Sequence, residues 1–336
     1  MKTQIQNPRA EPRQAGPARA VLLVQPARFG HNDQTAASNR FQQPSRTPAA
    51  QHARAELDAL GSALRDAGVR VCIAEDSAAP PKPDAVFPNN WVSWHRDGTT
   101  VLYPMHAPNR RAERRMQVVR AAELQSGFRR RRLLDLSVYE QQGRYLEGTG
   151  SLVLDHRHGQ VYACRSVRTD EGLVREWARL MGYEPVVFDA SGSDGTPLYH
   201  TNVMLAIGTR WCVVCAPAIA PADRVRVLQR LHGGEREVIE IDRAAMQAFA
   251  GNLLELESAA GGARGEGKGE GAGRVGARTL LVMSACARAA LSADAPAWER
   301  LRGSVDALIA VAVPTIESVG GGSVRCMMAE IPAVAA

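Results

Sequence analysis

Apolar residues recur along the chain in two textures, short runs of four to six and longer stretches at helical spacing, and their order repeats. From residue 90 onward each unit reads strand, tight turn, strand, amphipathic helix, strand. The first unit has a strand over Trp91-Val92-Ser93-Trp94, a turn at Asp97-Gly98, a strand over 100–103, a helix near 110–125 and a strand over 133–136. The second has strands over 151–154 and 161–164 about a His158-Gly159 turn, a helix over 169–182 and a strand over 185–188. In that helix Leu173, Val174, Trp177, Leu180 and Met181 fall on one stripe, with Thr169 or Asp170 as the N-cap. The third has strands over 202–207 and 211–215 about Gly208, a helix over 221–231 and a strand over 237–241. The fourth starts at Leu253, resumes over 279–283, has a helix carrying Trp298, Leu301, Val305 and Leu308, and ends on a strand over 309–313.

The two ends of the chain combine into a fifth unit: strands over 325–331 and 20–25, a helix with Leu57, Leu60 and Leu64 stopped near Gly68, and a strand over 69–74. Joining opposite termini closes a ring and removes exposed strand edges. The pattern therefore predicts an α/β fold, a five-unit α/β propeller closed by its N- and C-terminal strands, with the first strand of each unit near the axis. Residues 1–19, polar and rich in Pro, Ala and Arg, read as a flexible leader before a single domain over 20–336. Residues 258–277 are almost pure Gly, Ala and charge, too little apolar surface to offset ordering entropy, and read as a flexible insertion. That insertion has no GK[ST] ending, which argues against a phosphate cradle.

Composition narrows the function classes. With 45% hydrophobic residues and no apolar run of membrane-spanning length, the chain reads as a globular protein away from the membrane. The start of the chain lacks an apolar signal segment, so the cytoplasm is the expected compartment. The net charge of +6 is concentrated in Arg110, Arg111, Arg114, Arg115, Arg120 and the run from Arg129 to Arg132. Apart from Phe128 no aromatic residue is interleaved among these arginines, so a solvated helix face is favoured over a nucleic-acid surface. Cys212 and Cys215 form a C-x-x-C inside an apolar run, without a second pair or His cluster at zinc spacing, and read as core.

Residues just before the five first strands should converge: Asn90, Glu147, His200, Asn252 and Cys326. Their spacings are 57, 53, 52 and 74, and the last is longer by about the length of the Gly-rich insertion. A thiolate is the reactive form of cysteine, an imidazole can relay its proton, and a carboxylate can orient the imidazole or a cationic substrate. Glu147 lies in Leu146-Glu147-Gly148-Thr149-Gly150, and Cys326 follows Gly320-Gly321-Gly322-Ser323; both runs expose backbone to a ligand.

The segments QPARFGHNDQTAASNRFQQ, DAVFPNNWVSWH, EGTGS, YHTNV and GGGSVRCMMAEI together resemble the pentein-fold guanidine-modifying superfamily of amidinotransferases, arginine deiminases and dimethylarginine dimethylaminohydrolases. The likeness covers roughly residues 20–335 and is nearest to the arginine-deiminase-related citrulline-utilisation hydrolases. It implies Cys326 as nucleophile, His200 as general acid/base, Glu147 as the carboxylate on substrate nitrogens and His200, and Asp84 as a site aspartate. Phe29, Asn90, Asn202 and Asn252 are the remaining expected substrate-binding residues, with Arg28, Gly30 and Asn32 in a covering loop.

Three positions depart from the family pattern: Asn90 and Asn202 stand where deiminases have Asp, and Gly150 ends the motif that is Glu-Gly-Gly-Asp elsewhere. A permanent guanidinium cation needs carboxylates once removed from water, whereas a neutral ureido group wants donors and acceptors. The resemblance thus implies a hydrolase acting through an S-linked intermediate on an arginine- or citrulline-like small molecule, citrulline favoured, with no metal or organic cofactor. Passing the amidino group to an amine, as in the amidinotransferases, is the nearest alternative. A non-catalytic binding protein of the same fold, like the ribosome anti-association factors, is the second. No nucleic-acid or membrane partner is expected, and assembly as a homodimer stays open.

Overall fold

The computed structural model describes residues 16–44, 49–258 and 276–334. Its strands are β1 (Ala20–Gln25), β2 (Arg70–Glu75), β3 (Val92–Trp94), β4 (Thr99–Leu102), β5 (Arg132–Asp135), β6 (Val153–Asp155), β7 (Gln160–Cys164) and β8 (Glu184–Phe188). They continue as β9 (Leu205–Ile207), β10 (Trp211–Val214), β11 (Glu237–Glu240), β12 (Leu254–Glu257), β13 (Thr279–Ser284), β14 (Ala307–Val311) and β15 (Ala329–Ile331).

These strands form five three-stranded sheets, β15-β1-β2, β3-β4-β5, β6-β7-β8, β9-β10-β11 and β12-β13-β14. Every sheet has the same construction: its middle strand is antiparallel to the first and parallel to the third. A parallel pair needs a crossover, and a helix supplies it in each sheet. The sheet built from both chain ends sets Ala20 opposite Ile331 and, on its other side, Arg70. The architecture is mixed α/β with five small sheets.

Helices bury the apolar stripes expected of them. In Ala49–Asp66, Leu57, Leu60 and Leu64 are fully buried, and in Glu171–Met181 so are Val174 and Trp177. Each such side chain contributes roughly 2 kcal/mol of apolar burial. Asp170, not Thr169, caps the second helix, its carboxylate accepting from the Leu173 amide at 2.8 Å.

Two helices differ from the sequence expectation. The stretch near 110–125 splits into a 3-10 turn over Pro108–Glu113 and an α-helix over Met116–Ser126. In a 3-10 turn residues three apart eclipse, which sets Arg110 over Glu113 as a buried bidentate pair. Arg110 therefore does not belong to a solvated face. The helix placed around Trp298 to Leu308 is instead Ala285–Ser292 followed by Ala295–Gly303, and Leu308 already lies in β14. Ser284 and Asp294 cap the two helices, and Pro296 starts the second, signals that divide the stretch.

The N-terminal stretch enters the described residues at Gly16; Ala18 bridges Leu256 and Arg19 pairs with Glu257 at 2.8 Å. Most of the Gly-rich segment expected over 258–277 lies outside the described residues. No helix among the described residues is long and apolar enough to cross a membrane.

Candidate active site

Asn90, Glu147, His200, Asn252 and Cys326 each sit in the turn leading into the first strand of a sheet, β3, β6, β9, β12 and β15 respectively. All five are buried. His200 Nε2 lies 2.9 Å from Glu147 Oε2. Asn202 Nδ2 and Asn252 Nδ2 approach Cys326 Sγ at 3.5 and 3.3 Å. The repeat spacing thus brings together side chains from five separate turns.

The glycines of the Glu147 turn make this packing feasible. Gly148 has φ +47, and a Cβ there would meet the Asn89 carbonyl oxygen at 2.2 Å. At Gly150 a Cβ would stand 2.6 Å from both Asn90 Nδ2 and His200 Nδ1. Any side chain at 150, including the family's aspartate, would collide with His200 as it is placed here.

Charge in the site is dense and matched. Arg110 donates from Nη1 to Asn90 Oδ1 at 2.8 Å and lies 3.7 Å from both Asp84 and Glu147 carboxylate oxygens. Burial opposes its charge, but Glu113, Asp84 and Glu147 more than offset that and hold it firmly cationic. Arg168 Nη1 is 3.5 Å from Glu147 Oε2, and its guanidinium lies over the Tyr199 ring. For Glu147 burial disfavours the anion, yet Arg168, the His200 hydrogen bond and Arg110 together hold it well below the usual carboxylate range. His200 goes the other way: burial lowers it to about 4 despite Glu147, so the imidazole is neutral at pH 7.

A strap over residues 32–44 covers the cluster. Asn32 Nδ2 and Thr35 Oγ1 donate to Asp84 Oδ2 at 2.7 and 3.1 Å. Arg168 reaches Ser38 Oγ and the Thr35 carbonyl, and Gln42 donates to the Gly320 carbonyl at 3.0 Å. Tyr199 OH donates to the Gly321 carbonyl at 2.6 Å. What remains open among Asp84, Asn90, Arg110, Arg168, His200 and Cys326 is a pocket of about 10 Å³, room for roughly one water. Asp84 Oδ1, buried on its wall, has no hydrogen-bond partner among the described residues.

Asn202 and Asn252 lie against Sγ rather than on the pocket wall, and Phe29 packs into the core beside Gly320. Sequence reasoning missed Arg110 and Arg168. The signal was indirect: Asp84 and Glu147 at a buried focus required cationic partners.

A family model described as N,N dimethylarginine dimethylhydrolase, eukaryotic, matches residues 25–333. Among solved structures, the N-terminal domain of ArgZ, an arginine dihydrolase of cyanobacteria, aligns with a TM-score of 0.68 at 14% identity, covering 94% of this chain and 98% of that one. Unliganded AgrE aligns at 0.67 with 15% identity over 94% of this chain, which spans 40% of AgrE. A dimethylarginine dimethylaminohydrolase solved as an adduct with S-methyl-L-thiocitrulline aligns at 0.60 with 13% identity, covering 93% and 99%. No curated protein sequence matches the chain.

Proposed function

The chain belongs to the N,N-dimethylarginine dimethylhydrolase family, and from that premise we propose that it is a cysteine hydrolase acting on the guanidino or ureido carbon of an arginine-like amino acid. One observation carries the reading: Cys326, the His200–Glu147 pair and the unshared oxygen of Asp84 all belong to one buried site under a bonded strap. Such a site can exclude water from the first step. The five like-built sheets support a closed five-unit ring as the framework.

In the proposed sequence Cys326 Sγ bonds to the central carbon, and its proton passes through neutral His200 to the departing nitrogen. Glu147 steadies the imidazolium that forms transiently. The S-linked intermediate is then hydrolysed. Asp84 Oδ1 accepts from a substrate N–H, and Arg168, with Arg110 behind it, supplies cationic charge for the substrate's carboxylate.

The charge balance supports a ureido substrate such as citrulline. Asp84 and Glu147 each already face a guanidinium, and Asn90 presents an amide to the pocket in place of a third carboxylate there. A permanent cation would share these carboxylates with two arginines, whereas a neutral ureido group avoids that competition. The test is a panel of citrulline, arginine, methylated arginines and agmatine scored for ammonia and amine release, with acid-trapped adducts mapped. We expect citrulline to be consumed fastest through an adduct on Cys326. Turnover of arginine with citrulline untouched would remove the ureido preference, and an adduct on another cysteine would remove the nucleophile.

A further inference from the structure

A second cavity, about 900 Å³, approaches the site from elsewhere and shares no lining residue with the substrate pocket. Its walls come from β3, β6, β9, β12 and β15, the first strand of all five sheets. At one end it is bounded by Thr149, Asn202, Leu253 and Arg325. Asn202 is also a neighbour of Sγ at 3.5 Å, and Thr149 precedes Gly150, which has only hydrogen toward His200 Nδ1. The barrier between this cavity and the reacting atoms is therefore about one residue thick.

The cavity wall is charged, and its charged side chains have partners that are ionic for some and neutral for others, Arg96 donating to the Pro17 carbonyl at 3.5 Å. Arg325 pairs with Glu330 at 2.7 Å, Arg19 with Glu257 at 2.8 Å, and Glu255 accepts from the Thr209 amide at 3.0 Å. Such a wall suits water better than an ionic ligand. The substrate pocket offers the contrast: with the strap in place it has room for roughly one water.

We propose that the water that resolves the S-linked intermediate reaches it through this rear cavity, past Asn202 and Thr149, while the substrate side stays closed. The inference rests on the covalent reading given above. Water's oxygen bonds to the central carbon and its proton passes to His200. The carbon–sulfur bond breaks with its electron pair returning to Sγ, which is reprotonated from His200. Nucleophile entry from the rear also explains how one site could favour hydrolysis over transfer to an amine, since bulkier acceptors would meet the Asn202–Thr149 barrier.

Ile207→Trp on β9 and Leu254→Phe on β12 place bulk on the cavity wall away from the substrate pocket. In acid-quenched single turnovers read by intact mass, the Cys326 adduct should form at the wild-type rate and decay roughly tenfold more slowly. Decay at the wild-type rate in both variants would overturn the proposal. Failure of wild-type protein to form any adduct would instead overturn the covalent reading, so the two failures are distinct. The widening variant Ile207→Ala gives an arm that does not depend on accommodating bulk. Added hydroxylamine should intercept a larger share of its adduct than in wild type, and an unchanged share would count against rear entry.

Discussion

Two regions hold buried sulfur in opposite surroundings: the strand β10 with the adjoining Cys215, and the turn before β15. Cys212 lies among apolar neighbours, and burial pushes its thiol up to about 12. Cys326 is also buried, yet it has the amides of Asn202 and Asn252 within reach and shares a pocket wall with His200. Burial alone therefore does not separate the two cysteines; the polar atoms arranged around the sulfur do, and under the proposed mechanism they mark Cys326 as the reactive one. In β10 the thiol fills space between packed side chains. At the turn the same atom sits where five strands begin and four other turns deliver polar groups.

The largest expected effect breaks the comparison outright. Cys326→Ser should lower turnover by at least about 10³-fold with the fold intact, because a hydroxyl at this position lacks the nucleophilicity of the thiolate. Cys212→Ser should leave the activity of folded protein unchanged and cost on the order of 1–3 kcal/mol of stability, the penalty for a hydroxyl without a partner. Steady-state rates and denaturant unfolding of the two variants decide it. The reverse pattern would mean that the reactive sulfur lies in the strand.

Next in size is His200→Asn, which removes the proton relay and should reduce kcat about 10²- to 10⁴-fold. Substrate affinity should change far less, since Asp84 and the arginines remain. An unaltered kcat in this variant would leave Cys326 without its proposed partner.

The parts of this site that repeat were the parts readable in the sequence. Glu147, His200 and Cys326 occupy equivalent turns, so spacing alone singled them out among 8 histidines and 6 cysteines. Arg110 carried no such mark. It sits in an arginine-rich stretch that has helical spacing, and only the 3-10 turn beginning at Pro108 rotates it inward onto Glu113 and Asn90. Arg168 likewise depends on contacts across more than 100 residues, to Thr35 and Ser38 in the strap. Such partners are chosen by tertiary packing, which periodicity does not encode. The sheet that joins Ala20–Gln25 to Ala329–Ile331 was legible because the remaining units left those two strands unpaired.

Acid should separate the two regions as well. The folded state holds His200 near 4 against 6.5 for the free side chain, so the unfolded chain binds more protons between those values. The His200 contribution to stability should then be fully present above pH 6.5 and fall by roughly 3 kcal/mol as the pH drops toward 4, opposed in the same window by Glu113, whose carboxyl burial pushes up to about 7. Nothing in the Cys212 region titrates in that window through its thiol. Denaturant unfolding at stepped pH measures the slope, and the difference between wild type and His200→Asn isolates the share of the imidazole. A slope identical in the variant would place the acid sensitivity elsewhere.

The smallest effect bears most directly on how Cys326 differs from Cys212. Asn252 Nδ2 contacts Sγ at 3.3 Å and the Asn202 carbonyl at 2.9 Å, while its Oδ1 accepts from the Arg325 amide at 3.0 Å. One side chain thus ties the backbone before Cys326, the neighbouring turn and the sulfur together. Losing one hydrogen bond of about 1.4 kcal/mol at the reacting atom corresponds to roughly a tenfold loss in rate. Asn252→Ala should therefore lower kcat and the rate of Cys326 alkylation about tenfold with KM nearly unchanged, since the residue does not line the substrate pocket. A substrate-binding role, the expectation from sequence, would instead raise KM and leave alkylation alone. The split between the two constants shows whether the turn before β12 holds the substrate or holds the sulfur.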